Sequence, residues 1–104
     1  MSLNKMIDHT LLAANATREQ IARLCDEAVE HGFASVCVNS CWVGECASRL
    51  AKTDVNVCTV IGFPLGAMST AGKAAETEAA VSDGANELDM VINVGWLLAG
   101  EDDL

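Results

Sequence analysis

Short apolar runs alternate with stretches of helical spacing along the whole chain. The last run, Glu87 to Gly95, reads Glu-Leu-Asp-Met-Val-Ile-Asn-Val-Gly and has the length and β-branched content of a buried strand. Period-two alternation puts Asp89 and Asn93 on one of its faces. A carboxylate in mid-strand is costly unless a cation matches it or it faces water, and no Lys or Arg lies inside an apolar strand-like run, Lys5 preceding the first. Residues 5 to 12 form an earlier strand candidate that opens into the loop 13 to 16. Thr17 followed by Gln20 reads as a capping box, after which Ile21, Leu24, Cys25, Ala28 and Val29 recur at helical spacing until Gly32. Ala34 to Asn39 is the second strand candidate. Ser40 is placed to cap a helix whose stripe is Val43, Ala47, Leu50 and Ala51. The third strand candidate, Val55 to Ile61, stops at Gly62-Phe63-Pro64-Leu65-Gly66. An Ala-rich helix with a weak stripe then starts near Thr70 and ends at Gly84, and Trp96 to Gly100 opens a further segment.

This order, strand and helix in turn, predicts right-handed parallel βα units forming one α/β domain over residues 1 to 104. Parallel strands need cover on both faces, either from helices on each side or from helices outside and a barrel interior within. A dinucleotide-binding half-domain shows the same alternation, but its glycine fingerprint should follow the first strand, where Thr10-Leu11-Leu12-Ala13-Ala14 stands instead. A P-loop is absent as well.

Composition narrows the function. The chain is 51% hydrophobic, and six basic against fifteen acidic residues leave a net charge of -9, which opposes nucleic-acid and anionic-membrane binding. No stretch reaches the length of a membrane span. Five cysteines, an odd number set inside apolar patterns, point to reduced thiols and a cytoplasmic location. The spacing of Cys37, Cys41 and Cys46 matches no zinc knuckle, so no metal is expected. The Glu-Asp-Asp at residues 101 to 103 reads as a solvated end.

Period two also groups the candidate chemistry. Asp8 and Thr10 share a face of the first strand, Cys37 and Asn39 of the second, Thr59 and Ile61 of the third, and Asp89, Val91 and Asn93 of the fourth. In a barrel those faces point inward, and polar residues near the C-terminal mouth are where chemistry sits. Singly, Asn39, Thr59 and Asn93 are more simply strand-end caps. Asp89 stands apart as a functional carboxylate. His9 is expected to bond to backbone, and His31 to sit at a helix C-terminus where the local dipole favours it. There is no Ser-His-Asp spacing that suggests a hydrolase.

Four phrases then carry a resemblance: Ile7-Asp8-His9-Thr10-Leu11-Leu12, Ala34-Ser35-Val36-Cys37-Val38-Asn39, Val57-Cys58-Thr59-Val60-Ile61-Gly62-Phe63-Pro64-Leu65-Gly66 and Glu87-Leu88-Asp89-Met90-Val91-Ile92-Asn93-Val94-Gly95. In order and interval they resemble the deoxyribose-phosphate aldolase family from Met1 to Leu104. The resemblance implies a TIM barrel, reversible cleavage of 2-deoxy-D-ribose 5-phosphate to glyceraldehyde 3-phosphate and acetaldehyde, a lysine Schiff base, and neither metal nor organic cofactor. It gives Asp89 a proton-transfer role beside the Schiff base, and Cys37, with the Asp8 and Thr10 region, a place at the pocket. The family's Schiff-base lysine belongs to the sixth strand and its tuning lysine to the seventh, and Lys5, Lys52 and Lys73 match neither. A full barrel takes about 250 residues, so the expectation is half of a (β/α)8 barrel, four parallel strands with three intervening helices, completed by homodimerisation and inactive alone. The alternatives are a noncatalytic self-associating half-barrel and a small module that binds a phosphosugar.

Overall fold

A computed structural model describes residues 3–100; the acidic stretch at 101 to 103 lies outside the described residues. Its strands are β1 (Asp8–Leu11), β2 (Ser35–Val38), β3 (Asn56–Ile61) and β4 (Glu87–Met90). They form one sheet in the order β1-β2-β3-β4, and every neighbouring pair is parallel. The crossovers carry α1 (Arg18–His31), α2 (Val43–Leu50) and α3 (Thr70–Asp83), and a short α4 (Val94–Leu98) follows β4.

Local chemistry sets these limits. The Thr17 hydroxyl accepts from Gln20 N at 3.3 Å while the Gln20 side chain accepts from Thr17 N at 2.9 Å, so the capping box closes in both directions. Gly32 ends α1 and Gly84 ends α3, both in the left-handed conformation that a glycine C-cap adopts freely. Thr17→Ala should lower stability by about 1 kcal/mol, read as a shift of the urea midpoint at unchanged slope. α3 starts at Thr70, where the sequence places its start, with Ser69 as the cap, its hydroxyl accepting from Gly72 N at 3.0 Å.

One core lies between the sheet and the helices. Val36, Val38 and Val57 project from the strands onto Ile21, Leu24, Cys25 and Ala28 of α1 and Val43, Cys46 and Leu50 of α2. The opposite face carries the small cluster Cys37, Cys58 and Val60, with Leu12 against it. α3 buries only Lys73 and Ala80, which matches its weak stripe. No residue of β4 is buried, and Met90 is 61% exposed. The sheet is thus finished on the α1–α2 side and bare on the β4 side.

The structure corrects the sequence reading at several points. Ser40 does not cap α2; it opens a single 3₁₀ turn, Ser40–Trp42, and its hydroxyl is taken by Glu76 at 2.8 Å. The run from Glu87 to Gly95 is strand only to Met90, because Asn93 caps α4 by accepting from Trp96 N at 3.0 Å. His9 pairs with a carboxylate and not with backbone: its Nε2 lies 2.8 Å from Glu27 Oε1, and its ring centroid is 5.1 Å from that of Phe33.

Outside the core, Glu45 on α2 receives Arg18 Nε at 2.6 Å and Arg49 Nε at 3.4 Å. The Arg18 hydrogen bond, with smaller help from Arg49, holds its carboxyl below the usual glutamate range. A lowered folded-state pKa stabilises the fold above the ordinary glutamate range and ceases to do so as acid carries the pH down through the lowered value. The stability gap between Arg18→Ala and the parent, followed by urea titration, should therefore be small at neutral pH and close further in acid.

Candidate functional site

The strand register stacks the inner face in rows. Thr10, Cys37, Cys58 and Glu87 lie side by side across the four strands, and one step toward the C-terminal ends Val60 stands beside Asp89. Asp89 is exposed on this face. Its Oδ2 is 3.6 Å from Cys58 Sγ, and the sulfurs of Cys37 and Cys58 and the Asp89 carboxylate all lie within 4.8 Å of one another. Both thiols are almost fully buried, shaded by their neighbours. Burial pushes the Cys37 thiol up despite an opposing hydrogen bond from Cys58. Burial likewise raises Cys58, followed by Cys37 and the Asp89 charge. Neither is a thiolate nucleophile at neutral pH. What this face offers chemically is an open carboxylate able to take or give a proton beside two neutral thiols.

The proposed site residues separate accordingly. Cys37 and Asp89 meet on the inner face. Thr10 occupies the row of Cys37, but its hydroxyl is turned to Asp8 O at 2.9 Å. Asn39 bonds through Nδ2 to Leu12 O at 3.1 Å, fixing the loop after β1. Asp8 opens β1 at the far end of the sheet, where the Ser35 hydroxyl donates to its Oδ1. One candidate, Thr59, leaves the inner face. Thr59 is fully buried and donates to Val38 O at 2.7 Å, in register with Val38 on the helix-facing side, so the period-two phase assigned to the third strand is off by one. Ile61 is fully buried with it, while Cys58 and Val60 take the inner positions. Asn93 is a helix cap, as described above.

Sequence reasoning passed over two residues of α3 that brace the C-terminal ends of the strands. Glu76 accepts from Gly62 N at 2.8 Å through one oxygen and from the Ser40 hydroxyl at 2.8 Å through the other, tying the loops after β2 and β3 together. Lys73, in the first turn of α3, is buried to 9% exposure and donates from Nζ to Val91 O at 2.9 Å. Its amine is engaged at the end of β4, reached from the helix layer. Glu76 and Lys73 sit three apart, the spacing of one helix face, which is the signal available in the sequence.

Comparison with known proteins agrees with this architecture. The model of the DeoC/LacD family aldolases matches residues 3–103. A deoxyribose-phosphate aldolase of Geobacillus sp. (strain WCH70) is 61% identical over 103 residues, 99% of this chain but 46% of the relative. Among solved structures, QR15, an aldolase, superposes with a TM-score of 0.93 at 36% identity over 99% of this chain and 46% of that one. The tetrameric deoxyribose phosphate aldolase of Aeropyrum pernix does so with a TM-score of 0.85 at 34% identity, over 89% of this chain and 40% of that one. The chain spans under half the length of these relatives, and its four parallel strands are half of such a barrel. Among the described residues no helix is long and apolar enough to cross a membrane.

Proposed function

Because this chain belongs to the DeoC/LacD aldolase family, we propose that it is the first half of a deoxyribose-phosphate aldolase barrel, one partial-barrel unit that supplies the acidic side of the site and needs a second half to supply the amine. Asp89 carries the reading. It stands open on the inner face, while the Lys73 amine is held at Val91 O, and Lys5 and Lys52 are exposed, Lys5 beside Gly32 at the end of α1. The parent reaction, cleavage of 2-deoxy-D-ribose 5-phosphate, requires an amine to form the Schiff base and a neighbouring group to shuttle its protons. This half holds only the second.

The chain alone should therefore yield no single borohydride-trapped acetaldehyde adduct by intact mass. A stoichiometric adduct at one of its own lysines would overturn the reading. Mixed with a chain carrying strands five to eight of an aldolase of this family, it should gain cleavage of the sugar phosphate in a coupled assay. In that mixture Asp89→Asn should lower kcat by on the order of 100-fold with little change in KM.

A second copy is the partner that the bare edges favour for the chain by itself. Among the described residues β1 and β4 each present an unpaired edge, and Leu88, Met90, Ile92 and Val94 form an exposed apolar flank beside the second of these. Two copies placed β4 against β1 would close eight strands with two-fold symmetry. The tetrameric relative makes self-association a property within reach of the family.

A further inference from the structure

We propose that Cys37, Cys58 and Asp89 form a binding site for a thiophilic divalent cation such as Zn2+. The ligands come from three consecutive strands, β2, β3 and β4, so the backbone hydrogen bonds of the sheet hold them in register. Tetrahedral zinc, with Zn–S near 2.3 Å and Zn–O near 2.0 Å, needs sulfurs about 3.8 Å apart and a carboxylate oxygen about 3.5 Å from each. The Cys58 Sγ to Asp89 Oδ2 distance is 3.6 Å, and the whole set spans no more than 4.8 Å. Coordination thus requires rotamer adjustments and no movement of the sheet.

The two thiols would each release a proton to water as the Sγ–metal bond forms, and Asp89 would add its existing charge. Two thiolates and one carboxylate neutralise the cation and leave one unit of negative charge. The exposed Asp89 side gives the ion an entry path, and water takes the fourth position there, as in zinc sites with three protein ligands. Asp8 and Glu87, the other carboxylates whose charge reaches Cys37, keep the local potential favourable to a cation. A bound ion would occupy the Asp89 carboxylate, so metal binding and proton transfer by Asp89 would exclude each other. The site stands on geometry alone and does not depend on the catalytic reading.

Cobalt titration of the reduced full chain tests it. One equivalent should bind with thiolate-to-cobalt charge-transfer absorption and the intense visible bands of tetrahedral cobalt. Cys37→Ser and Cys58→Ser should each weaken binding at least tenfold and halve the charge-transfer band, whereas Cys41→Ser, at an exposed cysteine, should change neither. Cadmium-113 NMR of the unmodified chain covers the case of a variant that fails to fold. It should show couplings from the metal to the β-protons of Cys37 and Cys58. Absence of a thiolate band, or couplings to any other cysteine, would overturn the proposal.

Discussion

Replacing Gly66 with alanine should cost about 3 kcal/mol or more, the largest loss expected from any single methyl group added to this chain. Gly66 is buried with φ +66, a conformation that L side chains rarely adopt. A Cβ there would overlap the carbonyl of Ile92 and lie 2.8 Å from Val91 Cγ1. These are backbone and packed side-chain atoms at the end of β4, and they cannot swing aside as a flexible tip would. Gly66 N also donates to Gly62 O at 2.6 Å, closing the loop after β3 so that its backbone can pass under the end of β4. The loss should appear as a fall in urea midpoint with unchanged far-ultraviolet circular dichroism for whatever fraction stays folded. Gly44→Ala is the contrast. Gly44 is helical, and nothing lies within 4 Å of a Cβ placed there, so that variant should gain up to about 1 kcal/mol. If the two substitutions had equal effects, the close approach at Gly66 would not be what fixes this loop.

The same loop shows what the sequence could and could not disclose. Element order was legible because each element carries its own signal: the Thr17 to Gln20 box, the helix-ending Gly32 and Gly84, and the β-branched runs around Val36 and Val57. Strand phase was not. β3 reads Asn-Val-Cys-Thr-Val-Ile, and with apolar or small residues at almost every position, period two gives no contrast between a face against helices and a face inside a barrel. Polarity then suggested Thr59 for the inner face, yet its hydroxyl is satisfied by Val38 O within the sheet, which removes the penalty for burying it. The strand length of β4 failed for a related reason. Asn93 can serve a strand or cap a helix, and the backbone N–H of Trp96 decides for the cap. The Cys37, Cys58 and Asp89 cluster was invisible to motif spacing because its members lie far apart in sequence and meet only through register. The burial of Lys73 is not legible in the sequence, because a lysine at a helix start is ordinarily solvated and the carbonyl that holds it comes from the chain end of β4.

Met90→Glu should raise the dissociation constant of the proposed two-fold assembly by about 100-fold or more. Met90 lies on the helix-facing side of β4, in register with the buried Ile61, yet is 61% exposed because no element of the described residues covers it. A two-fold closed assembly has two seams of β4 against β1, so one substitution acts at both. Losing the burial of a methionine at each seam, at about 1.5 kcal/mol apiece, amounts to about 3 kcal/mol, and hence to about 100-fold in affinity. Desolvating the two introduced carboxylates adds to the penalty. Sedimentation velocity across a concentration series reads the result directly. Leu3→Glu provides the comparison, since Leu3 is exposed and apolar too but lies outside the sheet in the turn preceding β1. An unchanged sedimentation coefficient in Met90→Glu, or an equal shift in both variants, would mean that the bare β4 flank is not where copies meet.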